Sequence, residues 1–158
     1  MGDLFVSMSS RKFYFYSAVG SLSLASAIYV LFRSESLLMF RWANALGLLP
    51  LIHFLRSCSF ILKPILPVWI VYSLPFALWT ASYMLFVQTI WLGRKCIYRF
   101  IWFWIVPAVS LTSEFCQYRQ IVPGTFDIFD LLTIAIAVAL VLSIIALGPI
   151  EHTQKRAL

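Results

Sequence analysis

The sequence predicts an all-α fold: a polytopic membrane bundle of four spanning helices, with an interfacial or re-entrant outer segment after the first. Three observations carry that prediction. The 158-residue chain is 62% hydrophobic with a mean hydropathy of +0.92, and only 11% of it is charged. Soluble domains are about 45–50% apolar and cannot bury this much apolar surface at this size. The apolar residues gather into runs of about 20, the length that crosses a ~30 Å hydrocarbon core. The basic residues stand at the edges of those runs and form no stripe. That placement fits orientation in a bilayer and argues against a nucleic-acid partner. The length suits one integral membrane domain over residues 1–158.

The first span is read at residues 13–32. Arg11-Lys12 flanks it, and Ser17, Ser21 and Ala25 recur every four positions, a narrow face for close helix contact. Ala25-Ser26-Ala27 resembles a signal-peptide cleavage site, but the apolar run continues to Phe32. An uncleaved helix follows. Residues 37–66 form the outer segment. They are apolar, but Arg41, Asn44, Gly47, Pro50 and His53 interrupt the first part. Arg and Asn inside a span cost several kcal/mol on insertion scales, and Arg41 and Asn44 share one helical face. The segment is read as lying on or re-entering the membrane, with a fifth span as the rival.

The second span is read at residues 74–92, with Ser73 as cap and Pro75 in the first turn, where a missing N–H costs nothing. The third covers 97–116, with a bend expected at Pro107. The fourth covers 127–147. Its small residues Ala135, Ala139 and Ser143 are expected to pack on the small face of the first helix. On four spans, Arg11, Lys12, Arg94, Lys95, Arg99, Lys155 and Arg156 share the side of the termini. Arg33, Arg41, Arg56, Lys63 and Arg119 fall opposite. The excess places both termini in the cytoplasm. Cys58, Cys96 and Cys116 are odd in number, lack metal-ligand spacing and are read as free thiols packed as small hydrophobes.

Candidate chemistry gathers between the third and fourth spans, which hold Glu114, Asp127 and Asp130, three of the six acids of the chain. Ionisable groups beside a bilayer are costly, so their clustering points to function. Glu114 and Gln117 share a helix face, as do Asp127 and Asp130. Pro123-Gly124-Thr125 favours a reversal between them, and Arg119 lies in the connection. Part of this is architectural. Asp127 and Asp130 suit a helix N-terminus as cap and dipole partner, and Arg119 is suited to pair with Glu114 or Asp127. Glu114, about a turn inside the membrane exit, is covered least by such roles. His53 stands without a second histidine at ligand spacing, so no metal and no cofactor is expected. No Gly-flanked nucleophile elbow accompanies Ser113. Tyr98, Trp102, Phe103 and Trp104 read as a lipid-facing or packing belt.

At these residues the chain resembles the VanZ-like membrane proteins of bacteria. The likeness lies in Ser113-Glu114-x-x-Gln117 closing one helix, then Arg119, then Pro123-Gly124-Thr125-Phe126-Asp127-x-x-Asp130 opening the next. Ser73-Leu74-Pro75 followed by Leu78-Trp79 is a weaker echo. Ile134 and Ala137 stand where many members carry a helical Asn and a Gly, and Phe76-Ala77 where short members carry Asp-Gly. The resemblance implies a multi-pass protein of the bacterial inner membrane with an envelope role, in a family named for low-level resistance to the glycopeptide teicoplanin. It carries over Glu114, Gln117, Arg119, Asp127 and Asp130 as ligand-binding positions.

Three functions are open. The first is a non-enzymatic protein whose outward corner binds a lipid headgroup, a cell-wall precursor or a glycopeptide. Arg33, Arg41, Arg56 and Lys63 are available there for phosphates, or for anchoring to anionic lipid. The second is a small structural subunit packing against a larger membrane protein. The third is an intramembrane enzyme on a lipid-linked substrate, with Glu114 as base, Asp127 or Asp130 assisting and Arg119 stabilising a phosphate.

Overall fold

Residues 2–94, 96–122 and 126–147 are described by a computed structural model, with side chains from residue 8 onward. The order is α1 (Gly2–Phe32), α2 (Leu38–Ala45), α3 (Leu49–Ser59), a 3₁₀ turn (Phe60–Leu62), α4 (Val68–Tyr72), α5 (Leu74–Ile90), α6 (Ile97–Tyr118) and α7 (Ile128–Leu147). No strand occurs among the described residues.

α5 is the axis. Pro75, Ala77, Thr80 to Ser82, Met84, Leu85 and Val87 to Thr89 are all buried, so most of its circumference is covered. α1, α6 and α7 pack around it. Phe15 meets Phe86 (5.9 Å between ring centroids) and Tyr29 meets Trp79 (5.1 Å), so α1 and α5 run antiparallel. The Ser82 hydroxyl donates to the Ala18 carbonyl at 2.8 Å, a close approach that the small side chain of Ala18 permits. The Tyr83 hydroxyl donates to the Trp102 carbonyl at 2.8 Å, and Gln88, later on α5, meets Arg99, earlier on α6, so α6 runs antiparallel to α5 in turn. α7 returns alongside, completing an up-down-up-down order.

α1 and α7 are each long and apolar enough to cross a membrane, and only 11% and 17% of their apolar windows are buried in the bundle. Their greasy faces point outward, the reverse of a core helix in a soluble domain. The outer segment divides into α2, α3, the 3₁₀ turn and α4. Its longest helix, α3, has 11 residues, about 17 Å at 1.5 Å per residue and well short of a bilayer core. α2 buries Phe40 and Ala43 and exposes Arg41 and Asn44, the amphipathic arrangement the spacing predicts.

Three expectations need correction. The small faces of α1 and α7 do not pair, because α5 lies between the helices. α1 turns its small face to α5 instead: Ala25 of the predicted Ser17-Ser21-Ala25 stripe is buried and Ser17 and Ser21 are half-buried, with Tyr14 and Ala18 buried beside them. Ser73 does not cap α5: its backbone is already helical (φ −96°, ψ −40°) and its side chain makes no capping bond. α4 runs almost directly into α5 there, so Ser73 behaves as an interior residue. The cysteines are free, but Cys58 and Cys96 are exposed and not packed. The aromatic belt divides too: Tyr98 and Trp102 are exposed, while Phe103 faces the core.

Candidate functional site

Each helix at the corner has one inward stripe, and a carboxylate ends it. On α6 the buried positions are Phe103, Pro107, Ser110 and Glu114, spaced by four, three and four residues. On α7, Ile134, Ala137 and Val141 are buried, and Asp130 extends the row by one turn. Such spacing is one face of a 3.6-residue helix. Glu114 is therefore buried, and Asp130 is half-buried with its Oδ1 turned inward. Pro107 sits within α6 without interrupting it, although its missing N–H leaves the Phe103 carbonyl without its helical donor.

α6 stops in a fully bonded C-terminal turn. The Gln120 N–H donates to the Gln117 carbonyl and the Ile121 N–H to the Cys116 carbonyl, both at 2.9 Å. This pairing requires a left-handed residue at the reversal, and Gln120 supplies it at φ 56°. Tyr118 then packs edge-on against Phe126 with centroids 5.3 Å apart, drawing the entry of α7 to the end of α6. The Pro123-Gly124-Thr125 turn lies outside the described residues. Asp127 caps α7 as expected: its Oδ1 accepts the Phe129 N–H at 2.9 Å.

Glu114 is 5% exposed, and its Oε2 is buried with no hydrogen-bond partner. It interacts with the Asp127 backbone N–H and lies within electrostatic range of the Asp130 and Asp127 carboxylates. Asp130 Oδ1 is likewise buried without a partner. Gln117 is half-buried one turn beyond Glu114 on the same stripe. Arg119 departs from expectation. It is exposed and makes no ion pair among the described residues, because it occupies the cap of α6, where the chain turns away from the inward stripe. The five sequence-predicted positions thus divide into an inward pair (Glu114 and Asp130), a cap beside it (Asp127), a flanking amide (Gln117) and an outlying cation (Arg119).

The third buried orphan is Ser73 Oγ, fully enclosed where α4 meets α5. Ten residues separate Ser73 from Tyr83, and a similar count along α6 from Trp102 reaches residues 112–114. Ser73 is therefore level with Glu114. Sequence reasoning saw only a helix cap in it. The usable signal was Pro67, which starts a helical turn before Ser73 and leaves the serine inside a nearly continuous helix.

A second polar cluster at the same end of the bundle has no orphans. Arg56 donates to the Val30 carbonyl (2.8 Å), the Arg33 carbonyl (2.7 Å) and Glu35 Oε1 (2.9 Å). Its guanidinium also lies 4.5 Å from the Phe40 ring centroid. His53 Nε2 stands 3.3 Å from the other Glu35 oxygen. Arg33 in turn stacks on Tyr72 at 4.7 Å, tying α1 to α4. These contacts fasten the outer segment to the end of α1. Among the described residues no group of three His, Cys, Asp or Glu side chains is placed to hold a metal.

Comparison of the chain with protein-family models, with curated proteins and with solved structures finds no match. The functional reading therefore rests on this geometry.

Proposed function

We propose that this chain is a VanZ-like multi-pass protein of the bacterial inner membrane whose outer corner binds a cell-envelope ligand through N–H or O–H donors. A lipid headgroup, a cell-wall precursor or a glycopeptide carries such groups. α1, α5, α6 and α7 are the four spans in this reading, with both termini cytoplasmic. The antiparallel order and the placement of Arg11, Lys12, Arg94 and Arg99 at one end support that topology. The packing of α1 along α5 supports its retention as a helix.

One observation carries the binding proposal: two carboxyl groups end converging inward stripes, and each keeps a buried oxygen without a donor. An unsatisfied buried acceptor costs about 1–3 kcal/mol, more when charged. No described cation forms an ion pair with either carboxyl, and a donor from outside the chain, an ammonium or clustered hydroxyls, would satisfy the open oxygens. Ser73 at the same level adds a hydroxyl able to donate or accept.

The test compares phosphatidylethanolamine, whose ammonium has N–H donors, with phosphatidylcholine, which has the charge and no N–H. The purified protein should retain the first preferentially, and Glu114→Gln or Asp130→Asn should erase the preference. Equal retention of both lipids, or wild-type behaviour of both variants, refutes a donor-binding corner.

A second reading, a structural subunit, is favoured by one finding. Ala135, Ala139 and Ser143, expected to be covered by α1, line an open groove of about 420 Å³ or are exposed beside it. Such a small-residue face suits a partner helix. Ala139→Trp should then lower the assembly mass on native gels; an unchanged mass removes this alternative.

A further inference from the structure

The opposite end of the bundle carries a second candidate site that neither the corner nor the resemblance involves. A groove of about 640 Å³ opens where α5 ends, α6 begins and α7 ends. Its walls are largely apolar, with Phe100, Phe103, Leu142 and Ile145 among them. The polar groups at its mouth are Gln88 and Arg99. Gln88 is only 4% exposed, yet its Oε1 accepts Arg99 Nη2 at 2.8 Å. Arg99 Nη1 makes a longer bond, 3.3 Å, to the Arg94 carbonyl.

A buried amide thus holds a guanidinium at the rim of a greasy trough. Arginine at a membrane edge commonly extends freely toward water; this one is pinned in place. A guanidinium offers five N–H donors. Two of the bonds it makes are to neutral oxygens, and no carboxylate pairs with it among the described residues. Arg94 is exposed close by, and Arg11 and Lys12 lie at this end of α1, because Phe15 is level with Phe86. The site has the two complements of an anionic amphiphile: a fixed fork for phosphate and an apolar channel leading from it.

We propose that this groove binds an anionic phospholipid, its phosphate on Arg99 and an acyl chain along Phe100, Phe103 and Leu142. The charge complementarity selects the headgroup, and the apolar wall selects a lipid over a soluble anion. Gln88 is a positioning residue that aims the guanidinium.

The experiment uses the full chain in neutral detergent, with phosphatidylglycerol as probe and native mass spectrometry as readout. Phosphatidylglycerol should be retained about tenfold more strongly than phosphatidylcholine, and Arg99→Gln should abolish that difference, since charge-assisted bonds are the strong ones. Gln88→Leu should weaken it in part, and Arg11→Gln, which removes the same charge away from the groove, should leave it intact. A Cys58→Ala, Cys116→Ala background isolates Cys96, which lines the groove. Phosphatidylglycerol should slow its alkylation, and inorganic phosphate alone should not. Equal retention of both lipids, equal loss in Arg11→Gln and Arg99→Gln, or protection by inorganic phosphate overturns the proposal. Monodisperse elution of each variant separates loss of binding from loss of fold.

Discussion

Two polar clusters stand at the same end of this bundle and are satisfied in opposite ways. Around Arg56, carbonyls, a carboxylate and an aromatic face converge on one guanidinium. Around Glu114 and Asp130, two acceptors face inward and each keeps a buried oxygen without a donor. The difference teaches how to separate architecture from function in an apolar helical bundle. A cluster that closes on itself fastens the outer segment to α1. A cluster that leaves acceptors unmet stores a local cost, and groups outside the chain are what would relieve it.

Substitutions should expose that contrast, beginning with the largest effect. Arg56→Leu strands the Val30 and Arg33 carbonyls and removes the ion pair to the exposed Glu35, so it should destabilise the protein by about 2 kcal/mol, read by denaturation in detergent. Arg56→Lys should recover only part, because an ammonium cannot reproduce the fork. Loss below ~1 kcal/mol would mean that the outer segment is not fastened there. Glu114→Gln should act in the opposite direction. Removing a charge from the unpaired corner should leave stability unchanged or raise it by about 1–2 kcal/mol in the absence of ligand. A large destabilisation would show that the corner is structural, like its neighbour.

Smaller effects come from the turns and caps that hold the clusters. Asp127→Ala removes the bond to the Phe129 N–H and should cost about 1 kcal/mol, visible as a lower melting temperature. The turns after α2 and α6 share one bonding pattern, with Gly47 (φ 69°) in the left-handed position of the first and Gln120 (φ 56°) in that of the second. Gln120→Gly should therefore stabilise by up to about 1 kcal/mol, since glycine adopts this conformation without a Cβ penalty. Gly47→Ala should cost about as much through backbone strain alone, because an added Cβ meets nothing within 4 Å. If both changes prove neutral, backbone strain does not contribute at either turn.

Much of the architecture was legible from composition and periodicity. The segments at 13–32, 74–92, 97–116 and 127–147 are helical as read and fall on α1, α5, α6 and α7, with ends within a few residues except at the extended start of α1; two of them, α1 and α7, are long and apolar enough to cross a membrane. Breakers in 37–66 argued against a regular span there because Pro, Gly and polar residues act locally, but its division into α2, α3 and a 3₁₀ turn came only from the structure. The same local reasoning located Asp127 as a cap and placed Glu114 with Gln117 on one face. It failed where the outcome depended on a third helix. The small faces of α1 and α7 were matched to each other by similarity, but α5 is buried around most of its surface and occupies the space between them.

Sequence alone thus determined the four long helical segments, which of their faces are polar, and that acids gather where α6 gives way to α7. These follow from period, length and turn chemistry, which are properties of neighbouring residues. Only the tertiary structure decided which of those acids point inward, that Arg119 stands apart from them, and that Ser73 is an enclosed hydroxyl and not a cap. It alone joined Gln88 to Arg99, eleven residues away on the next helix. The physical reason is common to all four. Whether a polar atom finds a partner depends on what other helices bring within about 3 Å of it, and that distance is set by packing around α5.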